Sequence, residues 1–269
     1  MPFGLPHEKI LNRFLYLANP PEPMDAAETI RNCIADVTAL RMHRTGDPAL
    51  AQAVLAVKEL QSRRFMGTYA DLMGDPMVEP ATRFFLDELY SPGDFSARDD
   101  QFGRIAGTLQ TVFPKPVVVT AVSLAVLHAQ TEELDQAMGR AWLALADAPS
   151  EAARYTAAWR TVGERHARHQ QLASVITIGQ DLTRLTRMPG LRTMLRMMRR
   201  PAQAAGLGAL QHFLESGFDT FGELARQRGA VERFLSTVHE RESDLMLMMF
   251  EASAVACETE LTSTLGQAR

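Results

Sequence analysis

The stretch Val117 to Met138, VVVTAVSLAVLHAQTEELDQAM, runs without a glycine or proline and is almost wholly apolar over its first half. Pro114-Lys115-Pro116 forces a corner immediately before it. The β-branched residues Val117, Val118, Val119 and Val122 would also fit a buried strand. The segment continues into Ala, Leu, Gln, Glu and Met without a break, and this favours one long helix. Its apolar part stops short of the roughly 18 residues that a membrane span needs. A long, mostly apolar helix must be covered by others, so the rest of the chain is read for helices that can cover it.

Caps and breakers supply them. Asp25 with Glu28 looks like an N-cap and its partner and opens a helix to about His43. Gly46-Asp47-Pro48 is a turn, an N-cap and a proline at the first helical position, with a helix to about Phe65. Residues 67–79 read as irregular, with Tyr69 and Leu72 facing in. Pro80 starts a helix with Phe84, Phe85, Leu86 and Leu89 on its apolar face, stopped by Ser91-Pro92-Gly93-Asp94. Ser96 and Asp99 resemble a capping box for the next helix, which carries Phe102, Ile105 and Leu109 inward. After Pro149-Ser150 a single helix is expected from Glu151 to about Arg187, then a short one from Leu191 to Arg200, stopped by Pro201. Another runs from Ala202 to Arg228, with Gly229 as its C′ residue, and the last reaches about Thr262. The expectation is an all-α, bundle-like single domain of roughly eight to ten helices. It spans 25–262, after an arm at 1–24 with the cluster Pro20-Pro21-Glu22-Pro23, and ends in a frayed tail at 263–269.

The 269 residues are enough to bury a substantial core, and 46% hydrophobic with 22% charged residues is ordinary for a globular protein. A net charge of −4 and an isoelectric point of about 6.0 argue against nucleic-acid binding. Cys33 and Cys257 have neither paired nor metal-ligand spacing, and they read as buried thiols of a cytoplasmic protein.

Several stretches carry a resemblance: TYADLMGDP (Thr68–Pro76), FFLDELYSPGDFSARDDQF (Phe84–Phe102), LHAQTEELDQAM (Leu127–Met138) and MMRRPAQAAGLGALQHFLESGFDTF (Met197–Phe221). In these the chain resembles an uncharacterised bacterial group of helical proteins with an FFLDELYxPxDFxxRDxQF signature. The resemblance implies a helical fold and supplies no active site.

Three features are candidate sites. His128 and Glu132 share a helix face with Asp135, and His166 and His169 continue a stripe begun by Tyr155 and Trp159 on the following helix. If the two helices are antiparallel neighbours, His128, Glu132, His166 and His169 could converge on iron, manganese or zinc. The Glu-x-x-His pairs of helical di-iron proteins are absent, which weakens that reading. The alternative is a satisfied His128 and a solvated Arg165–His169 stretch. Second, Arg192, Arg196, Arg199 and Arg200 share a face of a basic amphipathic helix, opposite Leu191, Met194, Leu195, Met197 and Met198. That face suits an anionic ligand or partner, a membrane surface, or ion pairs with carboxylates from elsewhere. Third, Leu245 to Phe250 are six apolar residues that cover every side of a helix, as in a core or a homodimer interface. No Gly-x-Ser-x-Gly or phosphate-loop pattern is present. The expectation is a non-catalytic binding protein for an amphipathic or anionic small molecule or a protein partner. A metal-dependent enzyme and a structural homodimer are the alternatives.

Overall fold

The computed structural model describes residues 25–88 and 91–268. The arm expected at 1–24 and the position of Leu89 lie outside them. Among the described residues the chain is all-α, with twelve helices and no strand. The first are α1 (Ala26–Thr45), α2 (Pro48–Thr68) and the single turn α3 (Ala70–Met73). Next come α4 (Glu79–Glu88), α5 (Ser96–Val112), α6 (Lys115–Ala144) and α7 (Glu151–Val162). The chain finishes with α8 (Arg165–Thr186), α9 (Leu191–Ala204), α10 (Gly208–Leu224), α11 (Ala230–Glu251) and α12 (Ala254–Gln267).

Several helices start where side-chain chemistry predicts. The backbone N–H groups of Ala27, Leu50 and Ala153 donate to the capping oxygens of Asp25, Asp47 and Ser150. Gly229, expected as the C′ residue of the helix before it, takes a left-handed φ of 71° as the N-cap of α11, because α10 already ends at Leu224. Val117 to Val122 is helical. It forms the start of the 30-residue α6, about 45 Å long, which packs against α1, α2, α7 and α8. This helix supplies buried residues to three apolar clusters: Ala121, Ala125 and Ala129 to one, Leu127 to a second, and Met138, Ala141 and Trp142 to a third. By length and composition α6 is apolar enough to cross a membrane, but half of its most apolar window is buried within the fold. It also buries Gln130, Glu132, Asp135 and Gln136. A side chain at Gly139 would collide with Val54, so the absence of a Cβ lets α6 and α2 close on each other.

Four local expectations change. Phe95, not Ser96, is the N-cap of α5, and the Ser96 N–H donates to Asp94. Asp99 is therefore free of any capping task and is buried. The helix expected from Glu151 to Arg187 is broken by Gly163 (φ 64°) and Glu164 (φ 52°). Both lie in the left-handed half of backbone space, which ends a helix. Pro201 stays inside α9, which ends at Ala204 and is closed off by Gly206 (φ 69°), where the Leu207 N–H donates back to the Ala202 carbonyl. The last segment divides at Ala252, and the Ser253 side chain caps α12. Arg160 donates to the carbonyls of Met249 and Ala252 at that break. α12 then runs to Gln267, beyond the end expected near Thr262.

Candidate functional site

A cavity of about 150 Å³ lies among α2, α5, α6, α7, α8, α10 and α11, with Glu88 at the end of α4 on its edge. Helical spacing explains the polar wall. Lys58, Gln61 and Arg64 follow one another at three-residue intervals along α2, and His128, Thr131, Glu132 and Asp135 form the facing stripe of α6. Tyr155 and Trp159 come from α7 at i and i+4. The break at Gly163–Glu164 then resets the helical phase by about two residues. Ala167, Arg168, Leu172 and Val175 face in on α8, while His166 and His169 are exposed.

The carboxylates of this cavity are matched by cations. Asp99 accepts from Arg41 and lies 2.8 Å from His128 Nε2. Burial pushes its carboxyl up, but His128 and Arg41 outweigh burial and hold it below its ordinary range. Glu132 pairs with Lys58 and, at 2.7 Å, with Arg44. Burial again opposes ionisation, and the two cations pull the carboxyl down to about 2. Glu242 accepts from Arg64 at 2.5 Å and from the Tyr69 hydroxyl at 2.9 Å. Arg98 lies 2.8 Å from Glu88 and 3.7 Å from Asp99. Asp135 is held least well. Its nearest cation is Lys58 at 3.7 Å, and burial raises its pKa, with the Glu132 charge adding to the rise.

Arg168 differs from the other cations of the cavity. It is 5% exposed, its Nε donates to the Gly163 carbonyl at 3.1 Å, and its guanidinium lies 3.5 Å from the centre of the Trp159 ring. Burial lowers its pKa to about 10, so it stays charged at neutral pH. Among the described residues no carboxylate forms an ion pair with it, and its Nη2 finds no acceptor. The Trp159 Nε1–H, on a residue 7% exposed, also finds none. Two residues that line one cavity thus each keep a buried donor without an acceptor.

The other side of the cavity is apolar. Leu124, Leu127, Val175 and Phe213 line it and also line a second cavity of about 40 Å³, which is otherwise bounded by residues such as Phe84, Ile178 and Phe221.

The four groups read from spacing as a metal site do not come together. His128 and Glu132 line the cavity, and His166 and His169 sit outside it. Among the described residues no group of three or more His, Cys, Asp or Glu is disposed to hold a metal. Lys58 and Arg44 occupy the side of Glu132 that a cation would take. The sequence reading extends one helical stripe across Gly163, and that is why His166 and His169 are misplaced while Arg168 is missed. Gly163 itself is the signal that separates the two readings.

The basic face of α9 is found as expected, and α10 supplies its counter-charges. Arg192 meets Asp219 at 2.8 Å and Arg199 meets Glu215 at 2.5 Å. Arg196 and Arg200 are exposed. On the opposite face Leu191 and Leu195 are buried, but Met197 is 73% exposed. In Leu245–Phe250, Met246 and Met249 are buried and Leu247 is 59% exposed, so this segment is not covered on every side within one chain.

No curated protein and no solved structure matches the chain. A family described as a domain of unknown function, DUF8198, matches residues 40–256, which includes every helix that lines the cavity. The chain belongs to that family.

Proposed function

We propose that this protein is a non-catalytic binding protein whose small-molecule ligand occupies the cavity between α2, α6, α7 and α8. The observation that carries the reading is the pair of buried donors without acceptors, Arg168 Nη2 and Trp159 Nε1, on two residues that line a 150 Å³ space. A buried donor without an acceptor costs roughly 1–3 kcal/mol, and folded proteins seldom leave one without a reason. A ligand acceptor offsets that cost. An apolar cavity of about this volume is known to take a molecule the size of benzene. Binding is favoured over catalysis because the reactive groups are already engaged: His128 with Asp99, Glu132 with two cations, and the Thr131 hydroxyl between the Leu127 carbonyl and Gln171. The anion-binding role expected of Arg192, Arg196, Arg199 and Arg200 passes to Arg168 in this reading.

The test is mass spectrometry of the protein purified from cells, first under native conditions and then after solvent extraction. Leu127→Phe, which narrows the cavity, serves as the comparison. The reading expects a small molecule in near-stoichiometric amount, reduced in the variant. A mass equal to the bare chain, with no thermal shift from any member of a broad small-metabolite collection, contradicts it.

A further inference from the structure

We infer that the ligand is a small monocarboxylate with a hydrocarbon body, its carboxylate on Arg168 and Trp159 and its body directed along Leu124, Leu127, Val175 and Phe213. This rests on the cavity being a ligand site and names the class of ligand. The negative head follows from the ion-pair pattern. The carboxylates facing the cavity have cations within 4 Å, and Arg168 is the cavity cation without a carboxylate in that range among the described residues. A guanidinium N–H and an indole N–H, both without acceptors on two stacked residues that line one cavity, suit the two oxygens of a carboxylate. A single charge follows from the neighbours. Glu132 and Asp135 line the same cavity, so the second charge of a phosphate monoester would face carboxylates with no further unpaired cation to meet it. An ammonium group is disfavoured by Arg168 and Lys58. The hydrocarbon body follows from the shared wall, because the four apolar residues that close the polar cavity also open the second, apolar one. Water placed there would have no polar partner.

The experiment titrates the full chain with octanoate, octan-1-ol, octylammonium, octyl phosphate and acetate by calorimetry, with Arg168→Met and Arg168→Lys as variants. Octanoate is expected to bind tightest. Arg168→Met should weaken it by about tenfold or more, with Arg168→Lys between, since the charge is kept and the paired geometry is lost. Octan-1-ol or octylammonium binding as well as octanoate, or Arg168→Met without effect, overturns the carboxylate head. Tighter binding of octyl phosphate overturns the single charge, and equal binding of acetate overturns the hydrocarbon body. If Arg168→Met does not fold, Val175→Phe replaces it and should weaken octanoate more than acetate; equal weakening counts against the inference. If none of the probes binds, the inference fails, while the mass spectrometry of the purified protein decides separately whether the cavity is a ligand site.

Discussion

Helix α9 carries Arg192, Arg196, Arg199 and Arg200 on a face open to solvent, whereas α8 carries Arg168 on a face closed over by Trp159. The surface group is the more conspicuous of the two, yet Arg192 and Arg199 already meet carboxylates of the next helix. Water and salt screen exposed charges of this kind, so such pairs contribute little. The buried arginine is a charge without an ion-paired carboxylate among the described residues, in a place where desolvation is costly and a ligand could relieve it. Solvent access and the lack of a counter-charge therefore say more about a site than the number of arginines does.

The largest expected effect comes from a third arginine that is both buried and paired. Arg64→Met leaves Glu242 with the Tyr69 hydroxyl but without its cation, and removal of one partner of a buried pair costs about 3–5 kcal/mol. Urea denaturation should register a loss of that size. A change of less than about 1 kcal/mol would mean that paired and unpaired buried arginines are not distinct classes here.

Glu132 gives the next largest effect. Its carboxyl is held at about 2 against an ordinary value of 4.5. A lowered native pKa adds stability that is complete above the unfolded value and is withdrawn as the pH falls through the native one. That contribution is on the order of 3 kcal/mol. Glu132→Gln should therefore be less stable than the parent near neutral pH, and the gap should close as the pH falls from about 4.5 to about 2. A gap that is constant over this window would contradict the ion-pair account. Asp135, less than one turn further along α6, should behave in the opposite sense. Burial raises its pKa, so its ionised form costs stability above the unfolded value and the cost fades on acidification. Asp135→Asn is expected to hold or raise the denaturation midpoint at neutral pH, and a clear fall would contradict the assignment. The smallest effect is expected at the surface: Arg199→Ala should leave both the midpoint and the affinity for octanoate unchanged. A loss of affinity there would move the site back to α9.

Much of the fold is legible in the sequence because it is written in local chemistry. Asp25, Asp47 and Ser150 cap the helices that they precede, and α6 is helical through its valines because nothing interrupts it. Misreadings arise where a local pattern has two solutions. Ser96 and Asp99 fit a capping box by spacing, but Asp94 takes the Ser96 N–H and Asp99 turns to His128 and Arg41. Gly163 can sit inside a helix or end one, and that choice determines which residues of α8 face inward. The cavity was half visible, since His128, Glu132, Asp135, Tyr155 and Trp159 all fall on stripes that can be read from spacing. Lys58, Arg64 and Glu242 were not visible, because a charged residue on a helix reads as solvated until the helices that cover it are placed.

The central claim is that Arg168 serves a ligand and not the fold. The most direct measurement is the unfolding free energy of Arg168→Met in urea, compared with the parent after any co-purified molecule has been stripped from both. Methionine keeps contact with the Trp159 ring and removes a buried, unpaired charge. The account predicts a ligand-free variant as stable as the parent or more so, with binding lost. A loss of about 3 kcal/mol or more, the size expected on removing a structural buried cation, would contradict it.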